Sequence, residues 1–220
     1  MYRLLATIFT IQFFFTACTS DEVNSVYDID GTDVNFIETG PPNSILPTVI
    51  LLHGASFEAK DWENFGVLDA LAALDVHSVA IDLPDQDQFN DRRSKANFLR
   101  NLVGIFDLGQ GVVVVSPSMS GEYSLALISE DKSNSMVGFV AVAPVDIDQF
   151  ASSVDSPINL KTLIIWGDND EVIPIEKADT LSKQFDSVNF EVIADSGHAP
   201  YSAKPIVFVE LVEEFVSSLG

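Results

Sequence analysis

A serine, two acidic side chains and a histidine follow predicted strands in the second half of the sequence. The serine lies in SPSMS (116–120), directly after the four valines of residues 112–115. The acids lie in GDND (167–170), and the histidine ends DSGH (195–198). A serine hydroxyl becomes a nucleophile when a histidine takes its proton, and a carboxylate orients that histidine. These residue types, in this chain order, predict acyl chemistry through a Ser-His-Asp triad.

Ser118 is the predicted nucleophile because it lies at the centre of a small-residue turn between a strand and a helix. A nucleophile on such a turn needs small residues two positions before and after it, where strand and helix nearly touch. Ser116 and Ser120 occupy those positions, and we assign them to tight packing. The alternative for Ser118 is a loop hydroxyl that caps the following helix.

His198 is the predicted general base among the three histidines of the chain. His53 belongs instead to the His-Gly pair that begins a predicted oxyanion loop. His77 opens a strand, and we assign it to the surface or to a sheet edge. His198 follows a strand, as a base at the edge of a parallel sheet must.

Asp170 is the predicted carboxylate that orients the imidazole and stabilises its charged form. Asp168, two residues earlier, is assigned to hydrogen bonds with turn amides. Asp168, Glu171 and Asp146 stay open as alternatives for the catalytic acid.

The predicted oxyanion hole consists of two backbone N–H groups aimed at the developing negative charge. One comes from Met119, the residue after the nucleophile. The other comes from Ala55, which follows His53-Gly54. Both roles belong to the backbone, so substitution of either side chain tests them poorly.

Alternating strands and helices must bring these residues together. Apolar runs such as TVILL (48–52) are typical of strands that are buried on both faces. Further strands are predicted at 26–29, 34–38, 76–81, 112–115, 137–142, 162–166 and 190–193, and helices at 61–74, 91–107, 120–129, 175–185 and 205–218. The pattern predicts an α/β fold with a mostly parallel sheet flanked by helices. The short connection from Ala143 to Lys161 leaves no room for a separate cap domain.

Composition excludes several classes of partner and site. The 220 residues include 33 acidic and 11 basic side chains, for a net charge of −22. Such a surface repels phosphates, so we exclude nucleic acid and anionic lipid as partners of the folded part. One cysteine and three histidines exclude an internal disulfide, a thiolate metal site and a histidine-rich zinc site. We therefore predict no metal and no cofactor.

Residues 1–18 are predicted to be a signal-peptide or lipoprotein leader. Arg3 precedes an apolar stretch, and small residues follow it. The ending FTAC resembles a bacterial lipobox, which makes Cys18 the candidate lipidation site. The prediction is an exported protein of the cell envelope with a membrane anchor at its N-terminus, a polar tether at 19–25 and a single domain at 26–220. The alternatives are an ordinary cleaved leader and an uncleaved signal anchor.

Several motifs resemble those of α/β hydrolases: LLHG (51–54), AIDLP (80–84), VAVAP (140–144), IIWGDND (164–170) and GH (197–198). The stretch SPSMSGEYSLAL (116–127) resembles more particularly the alpha/beta hydrolase domain-containing protein 14 group, whose elbow also replaces both glycines with serine. This resemblance implies a capless serine hydrolase of small acyl esters or amides, with Ser118, Asp170 and His198 as the triad. A protein-lysine deacetylase activity that passes the acetyl group to coenzyme A has been proposed within that group.

Three functions stay open: a serine hydrolase (esterase), an acyltransferase or deacetylase that uses coenzyme A or another acceptor, and a catalytically silent binding module. The intact set of serine, acid and histidine speaks against the silent module. The acidic loop DQD (85–87) lacks the glycines of the resembling group and is expected to disfavour anionic substrates such as coenzyme A. Nucleotide binding is the weakest alternative, because Gly109-Gln110-Gly111 precedes a strand instead of following one.

Overall fold

One eight-stranded sheet forms the centre of the computed structural model, which describes residues 23–29, 31–84, 88–130 and 136–220. The strands are β1 Val23–Ile29, β2 Thr32–Thr39, β3 Thr48–Leu51, β4 Ser78–Ile81, β5 Val112–Pro117, β6 Gly138–Val142, β7 Ile158–Gly167 and β8 Phe185–Ile193. The helices are α1 Ala59–Asn64, α2 Val67–Ala73, α3 Arg92–Phe106, α4 Gly121–Glu130, α5 Ile147–Ser153, α6 Lys177–Ser182, α7 Pro200–Ala203 and α8 Pro205–Ser217, with a 3-10 turn at Ser118–Ser120.

The strands lie in the order β1-β2-β4-β3-β5-β6-β7-β8. The pairs β1–β2 and β2–β4 are antiparallel, and all the pairs from β4 to β8 are parallel. The predicted α/β-hydrolase fold, with its mostly parallel sheet, is confirmed. The carboxyl ends of six neighbouring parallel strands therefore meet at one edge, where ligands bind in sheets of this kind.

Helices cover both faces of the sheet, which explains why the central strands are apolar without alternation. Along β5, Val112 and Val114 pack with α3 and α4, whereas Val113 and Val115 pack with α2 and α8. All four valines are fully buried. Because successive side chains of a strand point to opposite faces, a strand covered on both sides needs an apolar residue at every position.

Several predicted elements have other bounds in the structure, and two of these differences are the largest. The single helix predicted at 61–74 is two helices, because Gly66 has a φ of 75° and separates α1 from α2. The last strand begins at Phe185 instead of Phe190, and α6 is correspondingly short. Phe185 is buried in the core and pairs with Ile158 of β7, so tertiary packing extends the strand beyond its apolar segment.

The predicted leader, with Cys18, lies outside the described residues, as does the first part of the tether. β1 begins at Val23 and pairs with β2 along its length, so the last residues of the predicted tether belong to the sheet. Across the part of the chain that the structure describes, no helix combines the length and the apolar character needed to cross a membrane.

Candidate active site

Ser118 lies on a sharp turn between β5 and α4. Its φ is 49°, in the left-handed region that side chains other than glycine rarely adopt. The carbonyl oxygen of Ser118 accepts a hydrogen bond of 2.9 Å from the N–H of Val145, which holds the turn against the segment after β6. Strained backbone of this kind is typical of functional residues that the surrounding structure holds in place. The turn leaves Ser118 partly exposed although both of its flanking elements are buried.

Three buried serines support this turn from behind. The Oγ of Ser116 lies 3.0 Å from that of Ser120 and 2.8 Å from that of Ser124. Ser120 also donates a hydrogen bond of 2.7 Å to the carbonyl oxygen of Pro117. All three residues are fully buried, and their hydroxyls satisfy one another, which avoids the cost of unpaired polar groups. The packing role predicted for Ser116 and Ser120 is confirmed.

His198 joins Ser118 to Asp170. Its Nε2 lies 2.8 Å from the Oγ of Ser118, and its Nδ1 lies 2.8 Å from Oδ2 of Asp170. Because an ionised carboxylate can only accept, the Nδ1–H of His198 donates to Asp170. This leaves Nε2 unprotonated and able to accept the proton of Ser118. The structure thus brings the three predicted side chains, from positions far apart in sequence, into one hydrogen-bonded chain.

Asp170 is fixed in place on its far side. Its Oδ1 accepts hydrogen bonds from the N–H groups of Val172, at 2.8 Å, and Ile173, at 3.0 Å. The side chain is completely buried, whereas that of His198 is 22% exposed. A buried carboxylate with three donors has little freedom to move, so it fixes the orientation of the imidazole.

The alternatives to Asp170 have other partners. Asp168 accepts hydrogen bonds from the side-chain amide of Asn169 and from the N–H of Ser196, so its predicted role in bonding turn amides is confirmed. Asp146 forms an ion pair with Arg92. Glu171 is exposed. Asp170 alone of these candidates contacts His198.

Gly167 allows the loop after β7 to lie directly against the loop that carries His198. A Cβ at Gly167 would be 2.2 Å from the carbonyl oxygen of Gly197 and 2.4 Å from that of Ser196. No side chain fits at such a distance, so only glycine permits this contact. The sequence shows Gly167 next to the acids. It does not show that the loop after β7 packs against the loop that carries His198, and this packing is what requires a glycine.

The loop after β3 lies beside the nucleophile. A Cβ at Gly54 would lie 3.4 Å from the Cβ of Ser118, so the backbone at Gly54 passes close to the proposed nucleophile, and the next residue, Ala55, is exposed. His53 is buried and donates through Nδ1 to the carbonyl oxygen of Gly54, at 2.9 Å. Its Nε2 accepts from the N–H of Leu83, at 2.9 Å. The two ring nitrogens of His53 therefore connect the loop after β3 to the segment after β4. This contact is consistent with the assignment of His53 to the oxyanion loop.

The assignment of His77 to the surface or to a sheet edge is wrong. His77 is 1% exposed. Its Nε2 lies 2.8 Å from Oε1 of Glu38, and its Nδ1 lies 3.1 Å from the Oγ1 of Thr48. Glu38 is 39 residues away in the sequence, and the pairing of β2 with β4 brings it beside His77.

Comparisons with known proteins agree with this architecture. A rat protein provisionally named protein-lysine deacylase ABHD14B is 32% identical over 188 residues, which cover 80% of this chain and 87% of the relative. Protein ABHD14A of zebrafish is 31% identical and covers 80% of this chain and 67% of its own length. No protein-family model matches the sequence.

Solved structures show the same fold at lower identity. The predicted CIB-like hydrolase of Thermoplasma acidophilum superposes with a TM-score of 0.77 and 23% identity, over 90% of this chain and 99% of its own. The esterase RhEst1 of Rhodococcus sp. ECU1013 has a TM-score of 0.74 and 15% identity, over the same shares of the two chains.

Proposed function

Because this chain belongs to the ABHD14 family of α/β hydrolases, we propose that it cleaves small acyl esters or amides through Ser118, His198 and Asp170. Membership of the family makes the protein a hydrolase; the proposal adds the residues and the class of substrate. The observation that carries it is the continuous hydrogen-bonded chain from the Ser118 hydroxyl through His198 to the buried carboxylate of Asp170.

The proposed reaction proceeds through an acyl-enzyme. Nε2 of His198 takes the proton of Ser118 as Oγ attacks the acyl carbonyl carbon, and the carbonyl oxygen becomes an oxyanion. The backbone N–H groups of Ala55 and Met119 are the proposed donors to that oxyanion. His198 then protonates the leaving alcohol or amine. A water molecule, deprotonated by the same histidine, attacks the acyl-enzyme and releases the acid.

The closest alternative uses the same acyl-enzyme but a different acceptor. The name of the rat relative points to deacylation of protein lysines, and a thiol acceptor such as coenzyme A would replace water in the second step. The acidic residues at 85–87, which lie outside the described residues, are expected to disfavour an anionic acceptor. We therefore favour hydrolysis over transfer, and the complete triad favours both over a silent binding module.

Labelling with a fluorophosphonate probe tests the nucleophile. We expect the wild-type protein to form a covalent adduct and Ser118→Ala to form none. Ser56→Ala is the matched control, because Ser56 is an exposed serine of the neighbouring oxyanion loop and should leave labelling intact. Equal labelling of wild type and Ser118→Ala would show that another residue is the nucleophile.

Kinetics on p-nitrophenyl esters of increasing acyl length test the substrate class and the acceptor. We expect acetyl to be turned over fastest, and coenzyme A to leave the rate of acyl release unchanged. A rate that rises with coenzyme A, together with formation of acetyl-coenzyme A, would favour the transferase. An absence of activity on every ester, with labelling also absent, would favour the binding module.

A further inference from the structure

Tyr201 lies three residues after His198, in the short helix α7, and is 2% exposed. Four aromatic rings surround its own ring, with centroid distances between 4.6 and 6.2 Å: those of Phe57, Trp62, Phe65 and Phe208. Rings packed on several sides have few accessible rotamers. The Tyr201 hydroxyl is therefore held rigidly at one position.

That position is beside the nucleophile. The hydroxyl oxygen lies 3.7 Å from the point that a Cβ on Gly54 would occupy, and the Cβ of Ser118 lies 3.4 Å from the same point. Gly54 has no side chain to separate the two. The Tyr201 hydroxyl thus lies close to the start of the predicted oxyanion loop.

Among the described residues, no hydrogen bond to this hydroxyl is present, and its oxygen is not one of the side-chain atoms that are fully enclosed without a partner. Tyr201 differs in this respect from the buried Trp62 beside it, whose indole N–H donates to the carbonyl oxygen of Leu52. A rigid donor without a partner, next to a nucleophile, is suited to a group that arrives with the substrate.

Burial raises the pKa of the Tyr201 hydroxyl well above its ordinary value, and the nearby charge of Asp61 raises it further. The hydroxyl therefore keeps its proton at every pH at which a histidine base works. It can donate a hydrogen bond, but it does not act as a base.

We infer that the Tyr201 hydroxyl is a third hydrogen-bond donor to the acyl oxygen, beside the backbone donors of the oxyanion hole. The inference rests on the proposed function. The bond strengthens as the carbonyl oxygen acquires negative charge, so it lowers the barrier more than it tightens substrate binding. The tyrosine keeps its proton throughout, and no bond to it forms or breaks.

Tyr201→Phe tests this inference, because it removes one oxygen and keeps the packed ring. On p-nitrophenyl acetate we expect kcat to fall about a hundredfold, the low end for loss of one oxyanion donor, with KM nearly unchanged. The rate of fluorophosphonate labelling should fall in parallel. The melting temperature should stay the same, since no internal hydrogen bond is lost. The ratio of wild-type to variant kcat should be constant between about pH 6 and 9.

Tyr123→Phe is the matched control. Tyr123 is 1% exposed, and its hydroxyl is enclosed without a hydrogen-bond partner. It lies in α4 and packs on the opposite face of the sheet from Tyr201. We expect Tyr123→Phe to leave kcat unchanged.

The outcomes separate this inference from the proposed function. An active wild type with an equally active Tyr201→Phe variant would overturn the inference alone. A fall in kcat that accompanies an equal loss of melting temperature, or that Tyr123→Phe reproduces, would also overturn it. A wild type that neither labels nor hydrolyses would overturn the proposed function and the inference together.

Discussion

Two hydroxyl–histidine–carboxylate chains lie at opposite ends of the same sheet. The Ser118 chain (Ser118, His198 and Asp170) has contacts of 2.8 and 2.8 Å at the carboxyl ends of the parallel strands. The Thr48 chain (Thr48, His77 and Glu38) has contacts of 3.1 and 2.8 Å, where β3 and β4 begin. The two chains share their types of functional group and nearly their distances. Neither property therefore distinguishes the proposed active site from the Thr48 chain.

The backbone of the hydroxyl residue is the first difference. Ser118 has a left-handed conformation and stands partly exposed on its turn. Thr48 is the first residue of a regular strand, is 3% exposed, and donates its N–H to the carbonyl oxygen of Gly111. A substrate carbonyl can reach the first hydroxyl but not the second. The turn, more than the set of three groups, distinguishes the proposed nucleophile from Thr48.

The burial of the two partners is reversed between the chains. In the Ser118 chain the carboxylate is fully buried and the histidine is 22% exposed. In the Thr48 chain the histidine side chain is 2% exposed and the carboxylate 32% exposed. A histidine that faces the solvent can exchange protons with substrate and water, whereas a buried one joins secondary-structure elements. We therefore assign the Thr48 chain a structural role, in which it links β2, β3 and β4.

The largest expected effect comes from removal of the proposed nucleophile. Ser118→Ala should lower kcat on p-nitrophenyl acetate by about 10⁴-fold or more, because the residual catalysis comes from the oxyanion hole alone. The corresponding change in the other chain, Thr48→Val, should leave kcat within about twofold, since no reacting group lies near it. A comparable loss in Thr48→Val, in a protein that is still folded by circular dichroism, would contradict the assignment of roles.

Asp170→Asn should have the next largest effect on kcat. The amide keeps the shape of the side chain but removes the charge that stabilises the imidazolium, so kcat should fall by about 10³- to 10⁴-fold. Glu38→Gln is its counterpart and should leave kcat unchanged. Steady-state kinetics of both variants on p-nitrophenyl acetate measure the two kcat values for comparison. Similar kcat values for both would mean that Asp170 does not orient the base.

His77→Leu should affect stability and not catalysis. It removes a buried link between three strands and leaves the Thr48 hydroxyl unpaired, which should cost about 1–3 kcal/mol of the free energy of unfolding. Urea denaturation measures that cost, and kcat of the folded protein should match the wild type. An unchanged midpoint would show that the contacts of His77 contribute nothing net.

Thr48→Val should have the smallest effect on the free energy of unfolding, about 1 kcal/mol, because valine has the same shape and favours a strand. Only the hydrogen bond to Nδ1 of His77 is lost. In a double variant with His77→Leu, the cost should be less than the sum of the single costs, since both changes break the same contact. Full additivity would show that the two residues are not coupled.

The Ser118 chain could be predicted from the sequence because each member lies in the short loop that follows an apolar run. A parallel sheet gathers all such positions at one edge, so local patterns were sufficient. The Thr48 chain could not be predicted. Glu38 reaches His77 only through the antiparallel register of β2 with β4, which the sequence does not encode locally. His77 was therefore assigned to the surface, whereas its partner comes from a distant strand.

The same limit applies to Tyr201 and to the break between α1 and α2. Tyr201 follows His198 by three residues, but the approach of its hydroxyl to Gly54 depends on how two loops pack together. The break at Gly66 lies inside an otherwise continuous helical pattern, because one glycine can either continue a helix or end it. Apolar periodicity determines which residues are buried, but it does not determine where the chain turns.

The mutual bonding of Ser116, Ser120 and Ser124 has a consequence for how this sequence can change over time. The Ser116 hydroxyl contacts both of the others, whereas the hydroxyls of Ser120 and Ser124 also bond to backbone carbonyl oxygens. Loss of Ser120 still leaves Ser116 a partner in Ser124, but loss of Ser116 takes one partner from two buried hydroxyls at once. A lineage that moves from this elbow toward one with glycines should therefore exchange Ser120 before Ser116.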